Sequence, residues 1–191
     1  MREPRERRRP GVSAEPHAGA GPAGPRKRWV TTTGLGPERD EKMGQVLYFA
    51  YGSNLDDDQM RARCPSARVV GRAVLPNHAL AFGGFSHRWG GAVASVVRAK
   101  GVRVEGLLYE LDEADLRALD RFEGHPFSYE RVQKQVLDEH GRRRRVTTYL
   151  QPEDGFEAWA PPQGYFGVLW RAYGRLGFDF ASLARAAGVA S

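Results

Sequence analysis

Val46-Leu-Tyr-Phe-Ala-Tyr51, stopped at once by Gly52-Ser-Asn-Leu55, is the stretch on which the fold turns. Its unbroken apolar and aromatic run reads as a buried strand. The glycine, serine and asparagine behind it read as the loop that ends that strand. Working outward, Asp56–Arg63 reads as one short helix. Its acids lie at the N-terminal end and its arginines at the C-terminal end, in step with the helix dipole. Ala67–Phe82 holds two strand-like stretches broken at Pro76-Asn77, and Ala92–Arg98 and Val102–Leu111 are two further strands. Asp112–Phe122 carries the clearest helix signals. Asp112 is an N-cap with Asp115 three positions on, and Leu111 and Leu116 sit as a hydrophobic staple. Leu116, Leu119 and Phe122 recur on one face, and Gly124 supplies the stop. Tyr129–Leu137 and Arg142–Leu150 pair as a hairpin through Asp138-Glu-His-Gly141. The chain turns helical again around Tyr165–Tyr173 and from Asp179 to Ala187, where Gly188 follows as a stop. Strands first with one helix among them, and helices at the end, predict an α+β fold. The mixed sheet is expected to curl into a small β-barrel with flanking helices.

Residues 1–42 contrast with all of this. They are rich in Pro, Gly, Ala and Arg, and Trp29 is their one large aromatic. Such a segment buries too little apolar surface to offset the entropy of ordering, so a disordered tail is expected before a folded domain at 43–191. Val30-Thr-Thr-Thr is the tail's one extended-looking piece, and Met43 reads as the start of the functional protein. The chain has 191 residues, 29 Lys and Arg, 23 Asp and Glu and a formal charge of +6. Ten of those basic residues and six of those acids fall in 1–42. The folded part is therefore nearly neutral, and nucleic acid is not expected as its partner. The tail itself reads as a solvated arm ahead of a nucleic-acid or targeting arm. The single Cys64 cannot form an internal disulfide. No apolar run approaches a membrane span. Arg7-Arg8-Arg9 leads into Pro, Gly and Ala rather than the apolar part of an export signal. A cytoplasmic protein is expected.

Several familiar chemistries have no support. Gly34-Leu-Gly36 lacks a third glycine and a preceding strand, so a dinucleotide site does not follow. His17, His78, His87, His125 and His140 include no pair at the helical spacing used for zinc. Ser53 follows Gly52 but lacks the glycine that completes a nucleophile elbow. Arg142–Arg145 alternates faces on a strand and reads as a solvated hairpin arm.

Three features remain. The Tyr51–Leu55 loop can bring backbone N–H groups close to a ligand, and it reads equally as an ordinary strand end with Asn54 as its turn residue. Glu123 ends a helix, where its charge is disfavoured, and Phe122, Pro126 and Phe127 make its neighbourhood apolar. Both effects raise a carboxyl pKa toward proton-shuttling range, although an exposed acid at this place is common. Tyr129 and Tyr165 each have an apolar body and a polar tip, suited to a pocket wall or to core packing.

Together these segments resemble the γ-glutamylcyclotransferase family. The resemblance runs through Tyr48-Phe-Ala-Tyr-Gly-Ser-Asn-Leu55, Gly90-Gly-Ala-Val-Ala-Ser95, Leu119-Asp-Arg-Phe-Glu-Gly124 with Tyr129 shortly after, and Pro161-Pro-Gln-Gly-Tyr165. Order and spacing agree across roughly residues 46–175. The resemblance implies the small mixed barrel, and an enzyme that cyclises a γ-glutamyl group to 5-oxoproline and releases an amino acid or amine. Glutathione metabolism is the setting it suggests. It implies Glu123 as catalytic acid/base. Tyr48, Tyr51, Gly52, Ser53, Asn54 and Leu55 would bind the glutamyl moiety, with Tyr129 and Tyr165 as further substrate contacts. The substrate's own amine is the nucleophile in such a reaction, so no metal or cofactor is implied. His87-Arg88-Trp89 and Phe166–Leu176, with Trp170 and Tyr173, have no matching family motif and leave the identity of the leaving group open. A γ-glutamylamine cyclotransferase, an enzyme removing a γ-glutamyl protecting group in a biosynthetic pathway, and a non-catalytic binding protein on the same fold are the alternatives. The oligomeric state is not legible.

Overall fold

The computed structural model describes residues 44–154 and 156–188. The expectations for 1–42, for Val30-Thr-Thr-Thr and for Met43 as a start lie outside these residues. Five strands, β1 (Gln45–Ala50), β2 (Arg68–Ser86), β3 (Gly91–Asp112), β4 (Glu130–Asp138) and β5 (Arg143–Leu150), close a barrel in the order β1-β3-β2-β4-β5. Four of the five pairings are antiparallel; at the seam β1 meets β5 in parallel at Tyr48 and Thr147. Helices α1 (Asp57–Arg63), α2 (Glu113–Glu123), α3 (Gln163–Leu176) and α4 (Phe180–Ala186) flank it. The α+β mixed barrel read from the sequence is the architecture found.

The apolar run Val46–Tyr51 supplies β1. Tyr48, Phe49 and Ala50 are all buried although neighbouring side chains point to opposite faces. A strand covered on both sides needs such an unbroken run. Asp56 caps α1 by accepting from the Gln59 N–H at 2.9 Å. Asp112 caps α2 by accepting from the Asp115 N–H at 2.7 Å. Leu116 and Leu119 anchor α2 in the core, but Phe122 is half exposed, its ring under the Arg63 guanidinium at 5.1 Å. α3 begins before the expected Tyr165 and ends at Gly177, whose φ of +64° closes it.

Two breaks in the sequence reading are absent from the fold. β2 runs through Pro76-Asn77 and β3 runs through Gly101 as single long strands. The interruption is a bulge: Pro76 pairs with Arg103 and His78 with Arg98. Asn77 takes the left-handed φ of +57°, and its Oδ1 accepts from the Gly101 N–H at 3.1 Å. A side-chain amide thus stands in for the lost ladder bond, and the strands bend without ending. The β2–β3 turn carries His87, Arg88 and Trp89, and the Trp89 ring meets the Tyr165 ring of α3 at 5.1 Å. On the far hairpin, Arg142 and Arg144 reach the Asp138 carboxylate while Arg143 and Arg145 are exposed, as a solvated arm requires. Among the described residues no helix is long and apolar enough to cross a membrane.

Candidate active site

The loop leaving β1 makes a tight 3-10 turn at Ser53–Leu55, closed by N–H donation from Leu55 to the Gly52 carbonyl at 3.0 Å. That turn points the Asn54 side chain inward, where it is almost fully buried. Its Nδ2 donates to Tyr48 Oη at 2.8 Å and to Glu123 Oε1 at 3.0 Å. Its Oδ1 accepts from Arg63 Nη1 at 2.8 Å. The amide has one sensible orientation here, because an arginine only donates and a carboxylate only accepts. Arg63 also reaches Glu123 Oε1 directly at 3.3 Å, which closes a triangle of Asn54, Arg63 and Glu123.

Glu123 is the last residue of α2. The helix end is held firmly: one turn back, Asp120 accepts from Tyr149 Oη and from Arg131 Nη1, both at 2.8 Å. Gly124 then ends the helix at φ +66°, where a Cβ would lie 2.8 Å from Ser128 Oγ. Burial pushes the Glu123 carboxyl above its ordinary 4.5, while Arg63, the Asn54 hydrogen bond and Arg88 pull it back down. The expected direction stands, with a different cause. Phe127 is 89% exposed and Phe122 is 52% exposed, so neither shields the carboxyl. The cover comes from Tyr48, Tyr51, Tyr129, Tyr149 and Tyr165, which surround it in one recess. Both short contacts to Glu123 use Oε1; Oε2 has no hydrogen bond to the described residues.

The tyrosines are fixed by backbone. Tyr165 Oη accepts from the Ala94 N–H at 3.0 Å, and Tyr129 Oη donates to the Ala94 carbonyl at 2.6 Å. One residue of β3, Ala94, therefore positions two rings from different parts of the chain. Tyr51 Oη donates to the Tyr149 carbonyl at 2.6 Å, and Gln151 Nε2 donates to Tyr129 Oη at 3.2 Å. Burial raises the phenol pKa of Tyr48, Tyr51 and Tyr129 well above 10 and that of Tyr165 to about 12. All stay neutral at physiological pH and serve as hydrogen-bonding walls rather than bases. Gly52 keeps the floor open: a Cβ there would come within 3.4 Å of Ala94 Cβ and Tyr165 Oη.

Two connected spaces result. The inner recess, about 30 Å³, is bounded by Tyr48, Tyr51, Gly52, Ser53, Asn54, Glu123, Tyr129 and Tyr165, together with Ala94 and Tyr149. It opens past Ser53, Glu123, Tyr129 and Tyr165 into an outer cleft of about 460 Å³. Eight of the nine residues singled out from the sequence thus meet at one place. The ninth, Leu55, does not: its side chain is wholly buried in the core and lines neither space. Its loop position set the expectation, but the 3-10 turn rotates it away from its neighbours. Arg63, Tyr149 and Gln151 were not foreseen. Arg63 follows Met60 by three positions on a helix whose inner face is buried, and that spacing was the available signal. Tyr149 arrives through the register of β5 and Gln151 directly after that strand ends, which local sequence does not display.

The family model for γ-glutamyl cyclotransferase, AIG2-like, matches residues 48–167, which span both the β1 loop and Glu123. The γ-glutamylcyclotransferase of Homo sapiens is 31% identical over 139 residues, covering 70% of this chain and 71% of its own. That of Bos taurus is 37% identical over 136 residues, covering 69% and 71%. A solved γ-glutamyl cyclotransferase structure superposes with a TM-score of 0.68 at 26% identity, over 74% of this chain and 86% of that one. The barrel, the loop and the acid at the end of α2 are thus features of a chain that belongs to the γ-glutamyl cyclotransferase, AIG2-like family.

Proposed function

We infer that this chain cyclises a γ-glutamyl group to 5-oxoproline and releases the attached amino acid or amine, with Glu123 as the acid/base. One observation carries the assignment of Glu123: among the described residues it is the sole carboxyl bounding the recess, and its Oε2 makes no hydrogen bond to them. The substrate's α-ammonium gives a proton to that carboxylate. The freed amine attacks the γ-carbonyl carbon of the same glutamyl chain, and the ring C–N bond forms. The ring nitrogen loses its second proton to water, and Glu123 returns its proton to the leaving nitrogen. The bond to that nitrogen then breaks, and the released amine takes its last proton from solvent. A carboxyl raised above its ordinary value is matched to giving and taking a proton near neutral pH.

The remaining residues bind and orient. The N–H groups of Ser53 and Asn54 start the 3-10 turn and are not consumed by its own bonds, and that of Ser53 reaches toward Tyr165 Oη at the edge of the recess. In this reading they hold the glutamyl carboxylate or the developing oxyanion. Tyr48, Tyr51, Tyr129 and Tyr165 fold the flexible glutamyl chain so that amine and carbonyl meet, the entropic part of the catalysis. Gly52 leaves space for it. The lone Cys64 is buried and its thiol is pushed up to about 12, which makes it inert. The test is 5-oxoproline release from a panel of γ-glutamyl dipeptides and γ-glutamylamines. Product from at least one supports the reading, and none from any overturns it.

A further inference from the structure

The outer cleft is built differently from the recess. Among the described residues the exposed phenylalanines are Phe85, Phe122 and Phe127, and all three line this one cleft. They come from three separate places: the end of β2, the end of α2 and the segment after it. Phe85 is stacked on Trp159 at 6.3 Å and 12°, so the aromatic rim is ordered rather than loose. Exposed apolar patches of this kind mark binding surfaces. Arg88 and Arg121 line the same cleft, and neither makes an ion pair with the described residues. Arg88 is near enough to Glu123 to lower its pKa, which places one free guanidinium close to the proton-transfer group. Among the described residues no cation lines the recess itself, and Arg63 behind it is engaged by Glu123 and Asn54.

We propose that the outer cleft selects the leaving group, and that it takes an amino acid with a large apolar or aromatic side chain and a free carboxylate. This rests on the cyclotransferase reading of the recess. A leaving group bonded to the glutamyl γ-carbonyl carbon beside Glu123 must extend into the cleft, since that is the side on which the recess opens. There the apolar side chain covers Phe127 and Phe122, and the carboxylate meets Arg88 and Arg121. Arginine suits this role because its planar fork binds a carboxylate through paired N–H donors. An amine without a carboxylate leaves both guanidinium groups unpaired. A small amino acid leaves the phenylalanine rim in water.

The experiment compares kcat/KM for γ-glutamyl-phenylalanine, γ-glutamyl-alanine and γ-glutamyl-phenethylamine, the last lacking only the carboxylate of the first. The phenylalanine substrate is expected to exceed each of the others by about tenfold or more. Phe127→Ser should shrink the phenylalanine-to-alanine ratio, and Arg88→Met or Arg121→Met the phenylalanine-to-phenethylamine ratio. Phe127 is 89% exposed, so its variant bears on the cleft and not on folding. Turnover of all three at equal kcat/KM would overturn the cleft assignment and leave the cyclotransferase reading standing. With no product from any, the cyclotransferase reading falls, and calorimetry decides the cleft. Tighter binding of γ-glutamyl-phenylalanine than of the other two supports the assignment; equal or absent binding overturns it.

Discussion

Replacing Arg63 with methionine would take away the cation nearest to Glu123 while keeping an apolar stem of similar length. The two charged groups lie 3.3 Å apart, with side chains 7% and 16% exposed. At an effective dielectric constant near 20, unit charges at that separation attract by about 5 kcal/mol. Part of this is offset, because Arg63 is itself desolvated and its Nε is buried with no hydrogen-bond partner among the described residues. A net loss of about 3 kcal/mol at neutral pH is expected, the lower end of the range for breaking a buried pair. Arg63 favours the ionised form of Glu123, so its removal raises the folded-state pKa further above the unfolded value. For a carboxyl raised in this way, the penalty is absent below the ordinary carboxyl range. It grows as pH rises through that range and is complete above the folded pKa. Urea unfolding measured from acid to neutral pH should therefore show a difference between Arg63→Met and wild type that widens with pH. The acidic limb of the kcat/KM profile for 5-oxoproline release should move to higher pH in the same variant. A stability loss that is constant across pH, or an acidic limb that stays in place or moves down, would refute the coupling between these two residues.

Two further outcomes follow from the same geometry. Tyr165→Phe leaves the Ala94 N–H, in a residue only 2% exposed, without its acceptor. It should cost about 1–3 kcal/mol in urea unfolding and raise KM, and an unchanged midpoint would contradict the bond. Gly52→Ala adds a methyl at ordinary contact distance, 3.4 Å, at a φ of −105°. Stability should change by less than about 1 kcal/mol while 5-oxoproline release falls by about tenfold or more, because the methyl occupies the recess; full activity would show that Gly52 does not border the glutamyl group.

The sequence made local features readable and left the non-local ones dark. The β1 loop is local: an apolar run, then glycine, serine and asparagine, fixes both the turn and the inward Asn54. The helix that carries Glu123 announces itself through Asp112, Leu116, Leu119 and Gly124. The dipole pattern of α1 places Arg63 at the C-terminal end and is silent on the helix face. Met60 and Arg63 share that face, and it is buried. The surroundings of Glu123 were misjudged because chain neighbours are not space neighbours. Phe122 and Phe127 point to the cleft, and tyrosines from β1, β5 and α3 do the shielding. The break expected at Pro76-Asn77 was mistaken for the end of a strand because the repair comes from Gly101, 24 residues away.

The central claim is that one buried carboxyl moves the proton in cyclisation. Glu123→Gln keeps the size of the side chain and the hydrogen-bond acceptor for Arg63 and removes the titratable group. In a single assay of 5-oxoproline release from γ-glutamyl-phenylalanine and γ-glutamyl-alanine, on protein shown to be folded by its unfolding transition, the variant should lose at least about a hundredfold in kcat, the usual scale of general acid–base catalysis. Its KM should change little. A glutamine variant that releases 5-oxoproline at the wild-type rate would contradict the account.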